Sequence, residues 1–190
     1  MVDTIEAWAE AFKGGNKLLL CGNGGSSADC DHIAGELLKG FLLKRPISDE
    51  LRSSLTEKYG DKGEKLAAAL QQGLPAISLS AHHAAISAFA NDVDAEYVYA
   101  QQVLAFGKKG DILVGISTSG NAKNVNAAVL TANAIGLKTI GLTGGNGGNL
   151  KNNCTICIAS PETETYRIQE DHLAIYHLLS AAAECELFEK

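Results

Sequence analysis

A chain of 190 residues, 46% hydrophobic and 20% charged, is long enough to bury one core, and its odd count of five cysteines does not make a disulfide framework. A net charge of −6 excludes the basic footprint of broad nucleic-acid binding, and no apolar run approaches the roughly 20 residues of a membrane span. Met1-Val2-Asp3 opens directly into an acidic amphipathic segment without a secretory signal pattern, so a cytoplasmic protein with small-molecule or protein partners is expected.

In chain order, Ile5, Trp8, Ala9 and Phe12 keep helical spacing before the stop at Gly14-Gly15. An apolar run, Leu18–Cys21, reads as a strand and breaks into Gly22-Asn23-Gly24-Gly25-Ser26-Ser27. A second amphipathic helix carries Ile33, Leu37, Leu38 and Phe41 and stops before Pro46. From Lys44 to Gln72 the chain is charged and poor in strand formers. Ser48-Asp49-Glu50 caps one short helix and Asp61 starts another ending near Gly73, which reads as a solvated helical excursion inserted at 44–73.

Further strands are expected around Ala76–Leu79, Ile112–Ile116, Thr139–Leu142 and Cys154–Ala159, and helices over His82–Asn91, Ala122–Ile135 and Thr165–Phe188. The strands are continuously apolar, as in a parallel sheet covered on both faces, so the fold class is α/β: a three-layer αβα sandwich on a five-stranded parallel sheet, one domain over 1–190. Cys154 and Cys157 have CxxC spacing but no second pair, and they read as buried strand residues.

The third strand also ends in a hydroxyl-rich turn, Ser117-Thr118-Ser119-Gly120-Asn121. A strand that breaks into such a turn and opens a helix aims unpaired N–H groups, the positive helix end and hydroxyls at one point, which suits an oxyanion. Neither turn is a dinucleotide or nucleoside triphosphate loop: the first has Ser27 where the third glycine belongs, and GxxxxGK[ST] is absent, so no nucleotide cofactor is expected. His32 and Glu36 lie four apart on one helical face, and Gln169, His172 and His177 recur along the last helix. A carboxylate and an imidazole beside a phosphate cradle suit aldose–ketose isomerisation, in which a base and an acid pass a proton between adjacent carbons through an enediol. His32, Glu36, Gln169 and His177 also make a zinc ligand set, glutamine being the least usual member.

The runs CGNGGSSADCDHIAGEL, Asn91-Asp92, GDILVGISTSGN and RIQEDHLAIYH resemble, in order and spacing, the phosphoheptose isomerases, which carry the sugar isomerase (SIS) domain. The likeness covers nearly all the chain apart from Lys44–Gln72. It implies a flavodoxin-like sheet, conversion of sedoheptulose 7-phosphate to D-glycero-D-manno-heptose 7-phosphate, a phosphorylated sugar as partner, a homotetramer with sites at subunit junctions, and zinc in several members. By the same resemblance Glu36 is the catalytic base and His177 its acid/base partner. Ser117, Thr118 and Ser119 hold the phosphate; Asn23, Gly24, Gly25, Asn91 and Asp92 line the sugar, with Ser26, Asn121 and Gln169 completing the substrate set; His32, Glu36, Gln169 and His177 match the metal ligands. The chain departs from the family at Ala122, where a second serine is common, at Tyr166, and in the single helix before its first strand, which makes a dimer the alternative to the tetramer. Two other functions stay open: a non-catalytic SIS regulator that binds a phosphosugar or a protein, as in replication-initiation control, and an isomerase of a shorter ketose phosphate.

Overall fold

The computed structural model describes residues 1–189. α1 (Val2–Lys13) leads into β1 (Leu18–Gly22), α2 (Gly25–Leu38), α3 (Asp49–Tyr59) and α4 (Asp61–Ala69). Then come β2 (Ala76–Ser78), α5 (His83–Phe89), α6 (Val98–Phe106), β3 (Ile112–Ile116), α7 (Lys123–Ala134), β4 (Lys138–Gly144), α8 (Leu150–Asn153), β5 (Ile156–Ser160) and α9 (Thr165–Phe188). All five strands pair in parallel, in the order β2-β1-β3-β4-β5. That order is flavodoxin-like: the winding reverses between β1 and β3, and a crevice opens there at the carboxyl ends of the strands.

The sheet is central because its strands are apolar on both faces. Every residue of β1 and β3 is buried. Leu18, Leu20, Ile112, Val114, Ile116, Ile140 and Leu142 point to one side, under Trp8 of α1, Ile33 and Leu37 of α2, and Tyr176 and Leu179 of α9. Leu19, Cys21 and Leu113 point to the other, against Val103 of α6 and Val125 and Val129 of α7. At the opposite end from the crevice, the Asp111 carboxylate accepts from the Lys17 amide at 3.0 Å, the Lys17 ammonium at 2.5 Å and the Lys108 amide at 2.8 Å, pinning the starts of β1 and β3 together.

The differences from the sequence reading are local and have physical causes. α2 stops at Leu38 and does not reach Phe41, because Arg45 takes the carbonyls of Glu36 and Leu37 that a further turn would have used. Leu79 leaves β2 for a short 3₁₀ turn, Leu79–Ala81, beside a buried Ser78–Ser80 hydroxyl pair at 2.8 Å. The helix expected over His82–Asn91 ends at Phe89 and passes into a wide π turn, Ala90–Asp94. β5 begins at Ile156, since the Cys154 amide instead bonds back to the Leu150 carbonyl to end α8. Cys154 and Cys157 are therefore half-buried at a sheet edge and not buried in a strand core. Burial, with Cys157 adding to it, pushes the Cys154 thiol up to about 12.

α6 was not legible in the sequence. Val98, Tyr99, Ala100, Gln102 and Val103 are buried, and of the exposed Gln101, Leu104, Ala105 and Phe106 only one is polar, so this helix has no clean polar face to set a period. α3 and α4 form where their caps indicate, with the Ser48 hydroxyl accepting from the Leu51 amide at 3.3 Å. α3 buries none of its residues. No described helix is long and apolar enough to cross a membrane.

Candidate active site

The two hydroxyl-rich turns meet at the switch point. Gly22, the last residue of β1, is in register with Ile116, the last of β3. Gly24 caps α2 at φ +55°, a left-handed backbone that only glycine adopts without strain. Gly25 leaves room for the Gln169 side chain from α9, whose amide lies where a Cβ would be. The turns are tied to each other by a reciprocal amide pair, Asn23 Nδ2 to Asn124 Oδ1 and Asn124 Nδ2 to Asn23 Oδ1, both 2.9 Å. The Tyr99 hydroxyl donates to the Gly22 carbonyl at 2.6 Å, and burial raises its pKa, which keeps it a donor.

Between the turns lies a cleft of about 400 Å³. Asn23, Gly24, Gly25 and Ser26 form one wall; Ser117, Thr118 and Ser119 form the other, with Ala122, Thr165 and Gln169 at the edge. The amides of Gly25, Thr118 and Ser119 have no acceptor among the described residues, and the N-termini of α2 and α7 flank the cleft. Hydroxyls, open amides and helix N-termini with no cation among the lining residues match the chemistry expected of a phosphate cradle.

A second group stands further along the same two helices. α2 and α9 pack side by side and run the same way, Gln169 meeting Gly25 and His177 meeting His32. His32 Nε2 is 3.2 Å from Glu36 Oε1 and 3.4 Å from His177 Nε2, and the other Glu36 oxygen accepts from Lys39 Nζ at 3.2 Å. On its far side His32 Nδ1 lies 2.9 Å from the Tyr176 hydroxyl, which reaches Asp29 Oδ1 at 3.4 Å. When Tyr176 donates to Asp29 it must accept from His32 Nδ1–H, and this leaves the Nε2 lone pair aimed at Glu36 and His177. Burial raises the Asp29 pKa against the opposing pull of His172, Tyr176 and His32. The Phe41 ring stacks on His177, centroids 5.6 Å apart and 27° from parallel.

His32, Glu36 and His177 bring their ligand atoms within 4.8 Å of one another. Two imidazoles and a carboxylate are a catalytic zinc donor set, and ligands about 3.4 Å apart are what bonds of ~2.1 Å in a tetrahedron require. The 3.2 and 3.4 Å spacings from His32 fit, while Glu36 and His177 stand further apart, within 4.8 Å.

The structure thus divides the sequence-predicted residues. Asn23, Gly24, Gly25, Ser26, Ser117, Thr118, Ser119 and Gln169 share the cleft; His32, Glu36 and His177 share the acid–base cluster. Gln169 lies about 12 Å along α9 from His177, eight residues at 1.5 Å each, with its amide at Gly25. Asn91 and Asp92 sit in the exposed Ala90–Asp94 turn, bonded to each other at 2.9 Å, and do not line the cleft. Asn121 braces its own turn, donating to the Ser119 carbonyl at 3.0 Å and accepting from the Asn149 amide at 3.1 Å.

Sequence reasoning missed Asp29, Phe41, Tyr99, Asn124, Thr165 and Tyr176. Asp29 had a signal, three residues before His32 on the same helical face; Thr165 had none. A larger cleft of about 520 Å³, lined by residues 40–46, Arg52 and 67–71, contains none of the predicted site residues.

A 2-1-3-4-5 parallel sheet with a serine-rich turn at its switch point is a flavodoxin-like frame, and within it the SIS domain family model matches residues 66–144. A phosphoheptose isomerase from Crocosphaera subtropica is 43% identical over 98% of this chain and 82% of that protein. Among solved structures, a phosphoheptose isomerase from Neisseria gonorrhoeae superposes with TM-score 0.77 at 31% identity, over 96% of this chain and 84% of the other. One from Francisella tularensis gives TM-score 0.75 at 32% identity, over 95% and 85%. The chain belongs to the phosphoheptose isomerase family.

Proposed function

We propose that this protein isomerises sedoheptulose 7-phosphate to D-glycero-D-manno-heptose 7-phosphate, with Glu36 and His177 as the proton-transfer pair. One observation carries the reading: a hydroxyl-and-amide cleft and a carboxylate–imidazole cluster stand at two levels of the same parallel helix pair. From Gly25 to His32 is seven residues, or about 10 Å of helix. A sugar carbon chain from C2 to a terminal phosphate extends about 8 Å at ~1.2 Å per bond. A ligand anchored by its phosphate at Ser117, Thr118 and Ser119 therefore carries C1 and C2 towards His32 and Glu36, whose side chains lean back towards the start of the helix.

In the reaction Glu36 takes a proton from C1 of the ketose while His177 gives one to O2, forming the enediol. Glu36 then returns a proton to C2 and His177 accepts the proton of O1, leaving the aldehyde. A zinc ion held by His32, Glu36 and His177 would supply electrophilic stabilisation of the enediolate oxygens, the part played by the His177 proton when no metal is held. The Tyr176–Asp29 pair orients the His32 ring for that role. Asn121 and Gln169 are proposed to brace the cleft, and Asn91 and Asp92, outside it in the single chain, to serve the sugar end at a junction between copies.

We read the chain as one SIS domain over 1–190, with the α3–α4 pair an insertion within 44–73. It works as a homo-oligomer, tetramer or dimer: Leu38, Leu42, Leu173 and Leu178, on or just beyond the two site helices, stay exposed. Five free thiols suit the cytoplasm.

The test is sedoheptulose 7-phosphate in deuterated water, where deuterium is expected at C2 of the aldose product. Glu36→Gln is expected to abolish turnover while phosphosugar binding stays within roughly tenfold, because the cradle supplies most ground-state contact. Unchanged phosphosugar binding with no turnover in the zinc-supplied native protein would replace the enzyme by a binding module.

A further inference from the structure

Seven residues beyond His177, two turns on along the same face of α9, Glu184 is fully buried. Its carboxylate accepts from three consecutive amides, Phe41 at 2.8 Å, Leu42 at 2.6 Å and Leu43 at 2.8 Å, and from Arg45 Nε at 2.6 Å. Arg45 is fully buried too. Its Nη1 donates to the Leu37 carbonyl at 2.8 Å and its Nη2 to the Glu36 carbonyl at 3.5 Å.

A buried pair of this kind gains little stability over an apolar replacement, because both charges lose their hydration. What it achieves is geometric. One carboxylate gathers the amides of the strap 41–43, one guanidinium grips the end of α2 at Glu36, and the two are joined to the helix that carries His177. The strap in turn holds the Phe41 ring against the His177 imidazole.

We infer that the Arg45–Glu184 pair is a positioning device for the acid–base cluster. It seats Phe41 as a wall on His177, and it fixes the backbone of Glu36 from behind. Arg45 and Glu184 are positioning residues; Phe41 acts on His177 directly by limiting its rotamers and shielding one ring face from water. The inference rests on Glu36 and His177 being the proton-transfer pair.

The variants are Phe41→Leu, Glu184→Gln and the two combined, with Glu184→Asp carrying the test if Glu184→Gln does not fold. Two quantities are read at equal metal content: kcat and KM for sedoheptulose 7-phosphate, and the NMR resonances of the His177 ring protons, which the stacked Phe41 ring shifts. Each single variant is expected to lower kcat by about 10- to 100-fold, the scale of a misplaced catalytic group, with KM within about threefold. Both should move the His177 resonances in the same direction, and the double variant should be no slower than the worse single one, since coupled residues are not additive. A Glu184 variant that leaves the His177 resonances where they are, or a double variant whose effects multiply, overturns the inference. If the native protein proves not to turn over the sugar, the proton-transfer reading fails by itself, and the resonances still report whether Glu184 governs the Phe41–His177 contact.

Discussion

His172 is fully buried on α9, and its Nε2 must carry a proton because its partner at 3.0 Å, the Thr143 carbonyl, can only accept. Its Nδ1 is buried without a partner, so the ring is held neutral. Burial outweighs the Thr143 carbonyl and the nearby Asp29 and Asp171 carboxylates and lowers its pKa below the usual ~6.5. The unfolded chain binds this proton first, so stability is unaffected well above pH 6.5 and falls as pH drops through 6.5 towards the lower folded value. Urea midpoints measured from about pH 7.5 to 5 are expected to fall for the native protein and to fall less for His172→Gln, which keeps a donor for Thr143. Parallel profiles would remove His172 as the cause. In the sequence His172 stood only as one of three polar residues on the last helix. Its neutrality was invisible because it depends on a carbonyl 29 positions away. The same holds for Tyr176, whose link to His32 spans 144 positions.

At the level of elements, legibility followed periodicity and capping. The strands were readable because each is a short apolar run ended by a turn signal, and α3 because Ser48 caps it. α6 was missed because its exposed side, Gln101, Leu104, Ala105 and Phe106, is itself mostly apolar and gives no polar period, and α2 was overrun because its end is set by Arg45 and Glu184, not by local sequence. The two turns were recognised individually, but the bridge between them was not, since Asn23 and Asn124 meet only once β1 and β3 pair. That bridge leads to a prediction. Asn124→Ala removes both neutral hydrogen bonds to Asn23, about 1 kcal/mol each at most, so KM for the phosphosugar is expected to rise about 5- to 30-fold with kcat nearly unchanged. A fall in kcat with KM constant would place Asn124 with the reacting carbons instead.

The whole molecule exposes apolar side chains beside its own site, Leu42 at 66% and Leu38 and Leu178 at 55% each. α3 buries nothing, and short helices are marginal in water without packing. These surfaces are expected to be covered by further copies of the chain. Light scattering should give a particle of two or four times 19.9 kDa, and Leu42→Lys with Leu178→Lys should reduce it to the single chain with little loss of thermal stability. A native protein that stays at the single-chain mass at micromolar concentration counts against this. The sequence pointed to an oligomer only through its family resemblance, because which apolar residues remain uncovered is a property of the finished fold.

The parallel run of α2 and α9 works as a ruler. Its zero is the cleft, where Gly25 meets Gln169, and its mark is the cluster where His32 meets His177. Both helices carry both points, so their separation is graduated in helical residues of 1.5 Å, and a change at one side chain does not rescale it. A ketose phosphate shortened by one carbon loses about 1.2 Å of reach and, with its phosphate seated, is expected to lie further from Glu36. Such a sugar is expected to be held about as well and converted more slowly, so shorter ketose phosphates would be sorted at the chemical step more than at binding.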